Sequence, residues 1–382
     1  MKTDWPLKKL GDIASINAGG TPSRTRSDYW GGNIPWVKIS EMLNDPVLTT
    51  EEMITKEGLE NSSAKIFKRG TILLSIFATV GRISELGIDA STNQAIAGIY
   101  PHGDIDRTFL KYYLTAISGI IVKKGRGGAQ SNINLSILKD QTIVVPPLEK
   151  QKKIVERLNA IRRAQELNSR LITKTQELYE SDLAKELNSG IAEIKKLTDV
   201  CDVRDGTHDS PTYYDQGVPL VTSKNLKETG IDFEDVNFIS NKDHEQISKR
   251  SKVDNGDILY GMIGTIGNPV LVNKIREFSI KNVGLIKFTK SSIDNRFVYY
   301  FLCSSLVKSQ VKKFARGGTQ KFVSLGNLRD IKIPVPTQQV QKSIVEKLDA
   351  IQNYKNLLRA QRKLYQELFD SVLHKSLAGE LD

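Results

Sequence analysis

Apolar residues follow two rhythms along this chain. The first is a series of short runs bounded by turn residues, among them Ile72-Leu73-Leu74-Ser75-Ile76, Ala97-Gly98-Ile99-Tyr100 and Thr142-Ile143-Val144-Val145. Runs of that length predict strands. Residues 109–117 and 297–307 predict short helices among them. The second rhythm steps by three and four. It runs through Ile154, Leu158, Ile161, Leu171 and Leu178, and again through Ile344, Leu348, Ile351, Leu358, Tyr365, Phe369 and Val372. That is the stripe of an amphipathic helix packed against one partner. Pro146-Pro147 precede the first stripe and Pro334 and Pro336 the second, where proline suits a helix start. Neither proline nor glycine recurs before Gly190 and Gly379. Roughly 40 residues at 1.5 Å each predict a helix of about 60 Å. Gln165, Asn168 and Thr175 interrupt the first stripe, as polar residues that fix register do.

The two stripes belong to a repeat. Residues 125–161 and 315–351 share 18 of 37 positions at a constant offset of 190. In the same register, QELYESDLAKEL at 176–187 faces QELFDSVLHKSL at 366–377. The front parts match more weakly and at a drifting offset. Lys8-Lys9-Leu10-Gly11-Asp12-Ile13 faces Lys195-Lys196-Leu197-Thr198-Asp199-Val200, and Thr79-Val80-Gly81 faces Thr265-Ile266-Gly267. Each half is thus a divergent globular domain followed by a closely matched helix. The expected fold class is α+β: two similar mixed α/β domains alternating with two long helices. The helices are expected to pair as an antiparallel coiled coil about a pseudo-two-fold axis. The boundaries fall at 1–147, 148–190, 191–336 and 337–382.

Composition narrows the function classes. Over 382 residues, 55 basic against 44 acidic side chains leave a net charge of +11, which points to a polyanionic partner, nucleic acid first. No apolar run approaches the roughly 18–20 residues of a membrane helix, and MKTDWPLKKLGD lacks the core of a signal peptide. Two cysteines, Cys201 and Cys303, cannot staple a chain of this size. A reducing cytoplasm and no membrane association are expected.

The chemistry-bearing residues lie in loops. Gly19-Gly20-Thr21-Pro22-Ser23-Arg24 leads to Tyr29-Trp30-Gly31-Gly32-Asn33-Ile34-Pro35-Trp36-Val37-Lys38. Its counterpart Asp205-Gly206-Thr207-His208-Asp209-Ser210-Pro211 leads to Thr222-Ser223-Lys224-Asn225. Glycines let backbone N–H groups approach an anion, and Thr21, Ser23, Arg24, Lys38, Thr207, Lys224 and Asn225 can add contacts to DNA. Tyr29, Trp30 and Trp36 are expected in the core. The repeated Arg126-Gly127-Gly128-Ala129-Gln130 and Arg316-Gly317-Gly318-Thr319-Gln320 each follow a lysine-rich helix end. They read either as phosphate anchors, through Arg126, Gly127, Gln130, Arg316, Gly317 and Gln320, or as structural turns. Motifs for nucleotide-binding loops, dinucleotide folds and amino-methyltransferases are missing, and His102, His208, His244 and His374 lack metal-ligand spacing. His208 with Asp205 and Asp209 is the nearest approach to a catalytic cluster and reads as loop chemistry. Glu193-Ile194-Lys195 echoes a nuclease tripeptide without its preceding partner. The chain is therefore expected to have no catalytic residues, no metal and no cofactor of its own.

Taken together, Trp5-Pro6, Leu10-Gly11-Asp12-Ile13, Gly19-Gly20-Thr21-Pro22-Ser23, Tyr29-Trp30-Gly31-Gly32-Asn33-Ile34-Pro35-Trp36, the two Arg-Gly-Gly-x-Gln motifs and the two Gln-x-x-Ile-Val-Glu-x-Leu helices give a family likeness. The layout resembles the specificity subunit of type I restriction–modification systems over essentially the whole chain. The second half has Tyr213-Tyr214-Asp215-Gln216-Gly217 in place of Tyr-Trp-Gly-Gly. The resemblance implies two target-recognition domains, each reading half of a split double-stranded DNA target. It implies helical spacer regions that set the unread gap and dock two copies of the methyltransferase subunit, with restriction subunits joining the holoenzyme. S-adenosylmethionine, ATP and Mg would be bound by those partners. The competing readings are a coiled-coil scaffold with an incidental basic surface and a self-contained nuclease using Glu193 and Lys195.

Overall fold

The computed structural model describes residues 5–124, 133–187, 192–289, 291–314 and 322–380. The chain divides into two compact units, Met1–Asn168 with Gln361–Asp382, and Ser169–Ala360. The 40-residue helices Leu148–Leu187 and Gln338–Leu377 each give one half to one unit and the other half to the other.

Strands of the first unit are β1 (Leu7–Lys9), β2 (Ala14–Ala18), β3 (Trp30–Val37), β4 (Glu52–Ile54), β5 (Ile72–Ser75), β6 (Ile83–Glu85), β7 (Ser91–Thr92), β8 (Ile96–Pro101) and β9 (Thr142–Val144). They form a four-stranded antiparallel sheet in the order β2-β8-β5-β6, a three-stranded sheet β4-β3-β7 with β3 and β7 parallel, and the pair β1-β9. The run Ile72-Leu73-Leu74 is apolar throughout because β5 is covered on both faces. Ile72 and Leu74 enter a core with Phe109, Leu110, Ile154 and Leu158, while Leu73 enters another with Val37, Phe67 and Ile96.

The second unit repeats this plan. Its strands are β10 (Glu193–Lys196), β11 (Asp202–Asp205), β12 (Val218–Val221), β13 (Leu226–Lys227), β14 (Gly230–Ile231), β15 (Asn237–Ile239), β16 (Ile258–Gly261), β17 (Gly267–Leu271), β18 (Ser279–Ile280), β19 (Val283–Lys287) and β20 (Lys332–Val335). The orders β11-β19-β16-β17, β15-β12-β18 and β10-β20 match those of the first unit, and the hairpin β13-β14 is added. On β16, Ile258 and Tyr260 face the core that holds Phe297, Phe301 and Ile344, and Leu259 faces a core with Val221 and Leu285.

Within each unit the two long helices run antiparallel. In the first, Asn168 Nδ2 donates to Gln361 Oε1 at 2.9 Å and Gln165 Nε2 to Gln366 Oε1 at 3.3 Å. In the second, Lys355 Nζ donates to Gln176 Oε1 at 2.6 Å and Lys347 pairs with Glu186. The expected stripe needs correction at three places. Leu171 and Leu178 are exposed, and the buried seam of the first helix passes through Ile154, Leu158, Asn168, Thr175, Tyr179, Leu183 and Leu187. Thr175 fixes no register, since its hydroxyl bonds back to Leu171 O at 2.7 Å in its own helix. The second helix ends at Leu377, and Gly379, with a φ of +70°, closes the turn after it, in which Glu380 N donates to Lys375 O and Gly379 N to Ser376 O.

Candidate nucleic-acid interface

Each recognition loop leaves the sheet at an equivalent point, after β2 or β11. In the first unit Gly19 N donates to Ile96 O and Gly20 N to Thr92 O, both at 2.9 Å. A Cβ on Gly19 would sit 2.1 Å from Thr92 Oγ1, and one on Gly20 2.3 Å from Ala64 N. These glycines therefore serve close chain packing, and their N–H groups are spent. This corrects the reading of the Gly19-Gly20 backbone as an anion cradle. Gly206 repeats the arrangement, donating to Val283 O at 2.9 Å while its missing Cβ would meet Ile280 O at 2.3 Å.

The side chains beyond the glycines carry the chemistry. In the first unit Trp36 is buried, donating from Nε1 to Gly20 O at 2.9 Å. Trp30 packs edge-on against it with ring centroids 5.0 Å apart and remains half-buried, while Tyr29 is in the core as expected. Arg24 lies over Trp30, 3.6 Å from the ring centroid, and grips both oxygens of Glu52. Lys38 reaches Glu51 at 2.7 Å and Glu52 at 3.4 Å. Hydrogen bonding from Arg24, followed by Lys38, holds the Glu52 carboxyl below its ordinary pKa. Thr21 donates to Gln94 Oε1, and the Ser23 hydroxyl shares a 2.9 Å bond with Thr25. Thr21, Ser23, Arg24 and Lys38 are thus gathered on one ledge, with the two cations shared by a single glutamate.

The second unit places different groups on the equivalent ledge. Asp205 is buried, and its two oxygens accept from His208 Nε2 at 2.9 Å and from Arg250. His208 Nδ1 faces Asn282 Oδ1 at 2.8 Å. The hydrogen bond to Asn282, then that to Asp205, raises the His208 pKa above 6.5. Lys281 bonds Ser210 Oγ at 2.6 Å beside it. Thr207 is half-buried and accepts from Asp209 N. Lys224 is exposed and pairs with Asp235 at 3.0 Å. Asn225 is corrected: at 1% exposure its Oδ1 accepts from Thr222 and its Nδ2 donates to Asp235 O, so it holds the loop and has no face for DNA. Sequence reading missed Glu52, Arg250, Lys281 and Asn282. Of these, Asn282 alone carried a local signal, as a turn residue; its φ is +55°.

Arg126, Gly127, Gln130, Arg316, Gly317 and Gln320 lie outside the described residues. Glu193 and Lys195 pair with each other at 3.0 Å on β10, an exposed strand bonded to β20. Among the described residues no group of three or more His, Cys, Asp or Glu could hold a metal, and no helix is long and apolar enough to cross a membrane.

This duplicated sheet plan with unlike loop ledges defines a two-domain recognition chain. The family model for the type I restriction modification DNA specificity domain matches residues 2–177 and again 192–366, so the chain belongs to that family as a specificity subunit with two recognition domains. The MjaIX specificity subunit of Methanocaldococcus jannaschii is 27% identical over 99% of this chain and 94% of its own. The EcoR124I/EcoR124II specificity subunit of Escherichia coli is 29% identical over 41% of this chain and 40% of its own. In fold, a chain from a structure on assembly and conformational transition of a type I R-M system superposes with a TM-score of 0.69 at 17% identity, covering 99% of this chain and 98% of that one. The S subunit from M. genitalium gives 0.54 at 15% identity, covering 98% and 96%.

Proposed function

We propose that each recognition domain reads one half of a bipartite double-stranded DNA target, and that the chain supplies the address while its partners supply the chemistry. The observation that carries this reading is the pairing of one repeated frame with two unlike ledges. The first carries Arg24 and Lys38 beside Trp30, and the second carries His208, Lys281 and Lys224. Two different half-sites need different contacting groups on the same support. The net charge of +11 favours salt-dependent association with the phosphate backbone.

The long helices are the proposed dock for methyltransferase subunits and the ruler for the unread gap. Exposed leucines repeat at the 190 offset, Leu167 with Leu357 and Leu178 with Leu368, which suits two copies of one partner. Restriction subunits complete the holoenzyme, and the chain works in the cytoplasm. S-adenosylmethionine, ATP and Mg belong to the partners, and this chain has no catalytic role.

Co-expression with the adenine methyltransferase subunit, followed by mapping of methylated adenines, tests the reading. A split motif with an unread centre, lost when this chain is omitted, is expected. Methylation that is unsplit, or unchanged without this chain, overturns it. Leu178→Glu with Leu368→Glu is expected to abolish co-purification with the methyltransferase while leaving the unfolding temperature unchanged. Retained co-purification overturns the dock.

A further inference from the structure

The second unit contains a cavity of about 570 Å³, within the range of roughly 300–1,000 Å³ typical of small-molecule sites. We propose that it binds one nucleotide unit, an aromatic base carried on a phosphate.

The walls are aromatic. Tyr260 on β16, Tyr299 and Tyr300 on the helix Asn295–Cys303 and Tyr179 on the first long helix all line it. The rings support one another, Tyr179 against Tyr300 at 6.0 Å and Tyr299 against Tyr300 at 5.3 Å between centroids. Such walls suit a flat ring, since every base offers a π-face to stack. Tyr260 is 2% exposed as a residue, but its hydroxyl opens into the cavity and bonds no protein group among the described residues. A ligand atom that reaches this hydroxyl takes the place of water there. Burial lifts its pKa to about 12, so it stays a neutral donor.

The charge at the mouth selects an anion. Lys308 and Lys312 lie one turn apart on the helix Ser305–Phe314, both line the cavity, and neither has an acidic partner among the described residues. The cavity's own carboxylate, Glu228, is already matched by Lys355 at 3.0 Å and Arg359 at 2.8 Å. A base among the tyrosines carries its phosphate toward Lys308 and Lys312.

Among the described residues of the first unit, the corresponding place is built differently. Tyr300 corresponds to Tyr112, so Lys111 stands where Tyr299 does. Lys111 bonds Asp45 and lies 3.5 Å from Glu85, and Arg162 lies 3.7 Å from Asp45 and over the Tyr112 ring. Ion pairs occupy what is open in the second unit.

The same chemistry could arrive as a free nucleoside phosphate or as an unstacked nucleotide of a bound strand. The test is isothermal titration of the full chain with the four nucleoside monophosphates, with adenosine, with pyrophosphate and with a short single-stranded oligonucleotide. Saturable one-to-one binding of a monophosphate, tighter than adenosine or pyrophosphate, is expected. Tyr260→Phe should weaken it about three- to tenfold, the loss of one hydrogen bond. Lys308→Glu with Lys312→Glu should abolish it, with unfolding temperatures unchanged in both variants. Binding of the oligonucleotide alone, weakened by both variants, supports the strand as the source. Binding indifferent to both variants overturns the proposal. So does the absence of any nucleotide binding, including the case where the variants instead weaken association with the methyltransferase.

Discussion

The frame and the ledge of each unit differ in how much freedom their residues have. In the frame, Gln151 and Gln341 occupy equivalent positions near the starts of the two long helices, and both are buried. Gln151 Oε1 accepts from Asp106 N at 2.8 Å, and its Nε2 donates to Pro146 O and Asp104 O. Gln341 does the same work, accepting from Asp294 N at 2.9 Å and donating to Pro336 O at 2.8 Å. Lys9 pairs with Asp140 at 2.8 Å in one unit, and Lys196 with Asp330 at 2.7 Å in the other. The ledges share their chain path and its Gly-Thr step, Gly20-Thr21 and Gly206-Thr207, but Arg24 and Glu52 stand in one against His208 and Asp205 in the other. A buried amide with several partners tolerates no substitute, whereas an exposed ledge can change its side chains without disturbing the sheet beneath.

The largest expected effect separates the ledges outright. Replacing residues 191–336 with the corresponding domain of a relative should change one half of the methylated motif completely and leave the other half and the gap unchanged. Sequencing of methylated host DNA reads both. A change in both halves would break the independence of the two ledges.

The frame is tested by stability. Gln151→Leu and Gln341→Leu each remove a buried amide's bonds to backbone groups that are mostly half-buried, at a cost of about 2 kcal/mol. Denaturant titration should show similar losses for the two variants. Losses differing by more than about 1.5 kcal/mol, on the scale of one net hydrogen bond, would show that the frames are not equivalent.

Arg24→Met sharpens the picture of the first ledge. Its ion pair with Glu52 is half exposed and its stacking on Trp30 is partly solvated, so the stability loss should stay under about 1 kcal/mol. DNA affinity should fall, and the slope of log K against log salt should shrink by about one, as for a lost phosphate contact. An unchanged salt slope would confine Arg24 to holding Glu52.

Much of this frame was legible in the sequence because it obeys periodic rules. The long helices, their proline starts and the buried strand at Ile72-Leu73-Leu74 follow from spacing alone. Spacing did less well inside the helices. Leu171 and Leu178 keep the helical rhythm yet face outward, since the seam steps through Asn168 and Thr175 instead. The ledges were legible only as loops rich in polar residues. Glu52 lies 28 residues from Arg24, and Asn282 lies 74 from His208. Strand pairing brings them together, and no local pattern announces it.

The smallest effect concerns pH and the second ledge alone. Hydrogen bonds to Asn282 and Asp205 raise the His208 pKa above its ordinary 6.5. A raised native pKa means that the folded state binds the proton more tightly than the unfolded one. The resulting stability is fully present below pH 6.5 and is lost as pH rises through the native value. The ring is more than half exposed, so solvent screening keeps the effect to a small fraction of what a buried pair would give. The unfolding temperature of the second unit should fall slightly over that interval in the parent chain, and His208→Gln should remove that slope while leaving the first unit's profile unchanged. Binding to the second half-site should weaken over the same interval as the imidazolium loses its charge, with the first half-site indifferent. Equal pH slopes at both half-sites would show that the two ledges do not differ in the way that His208 and Arg24 imply.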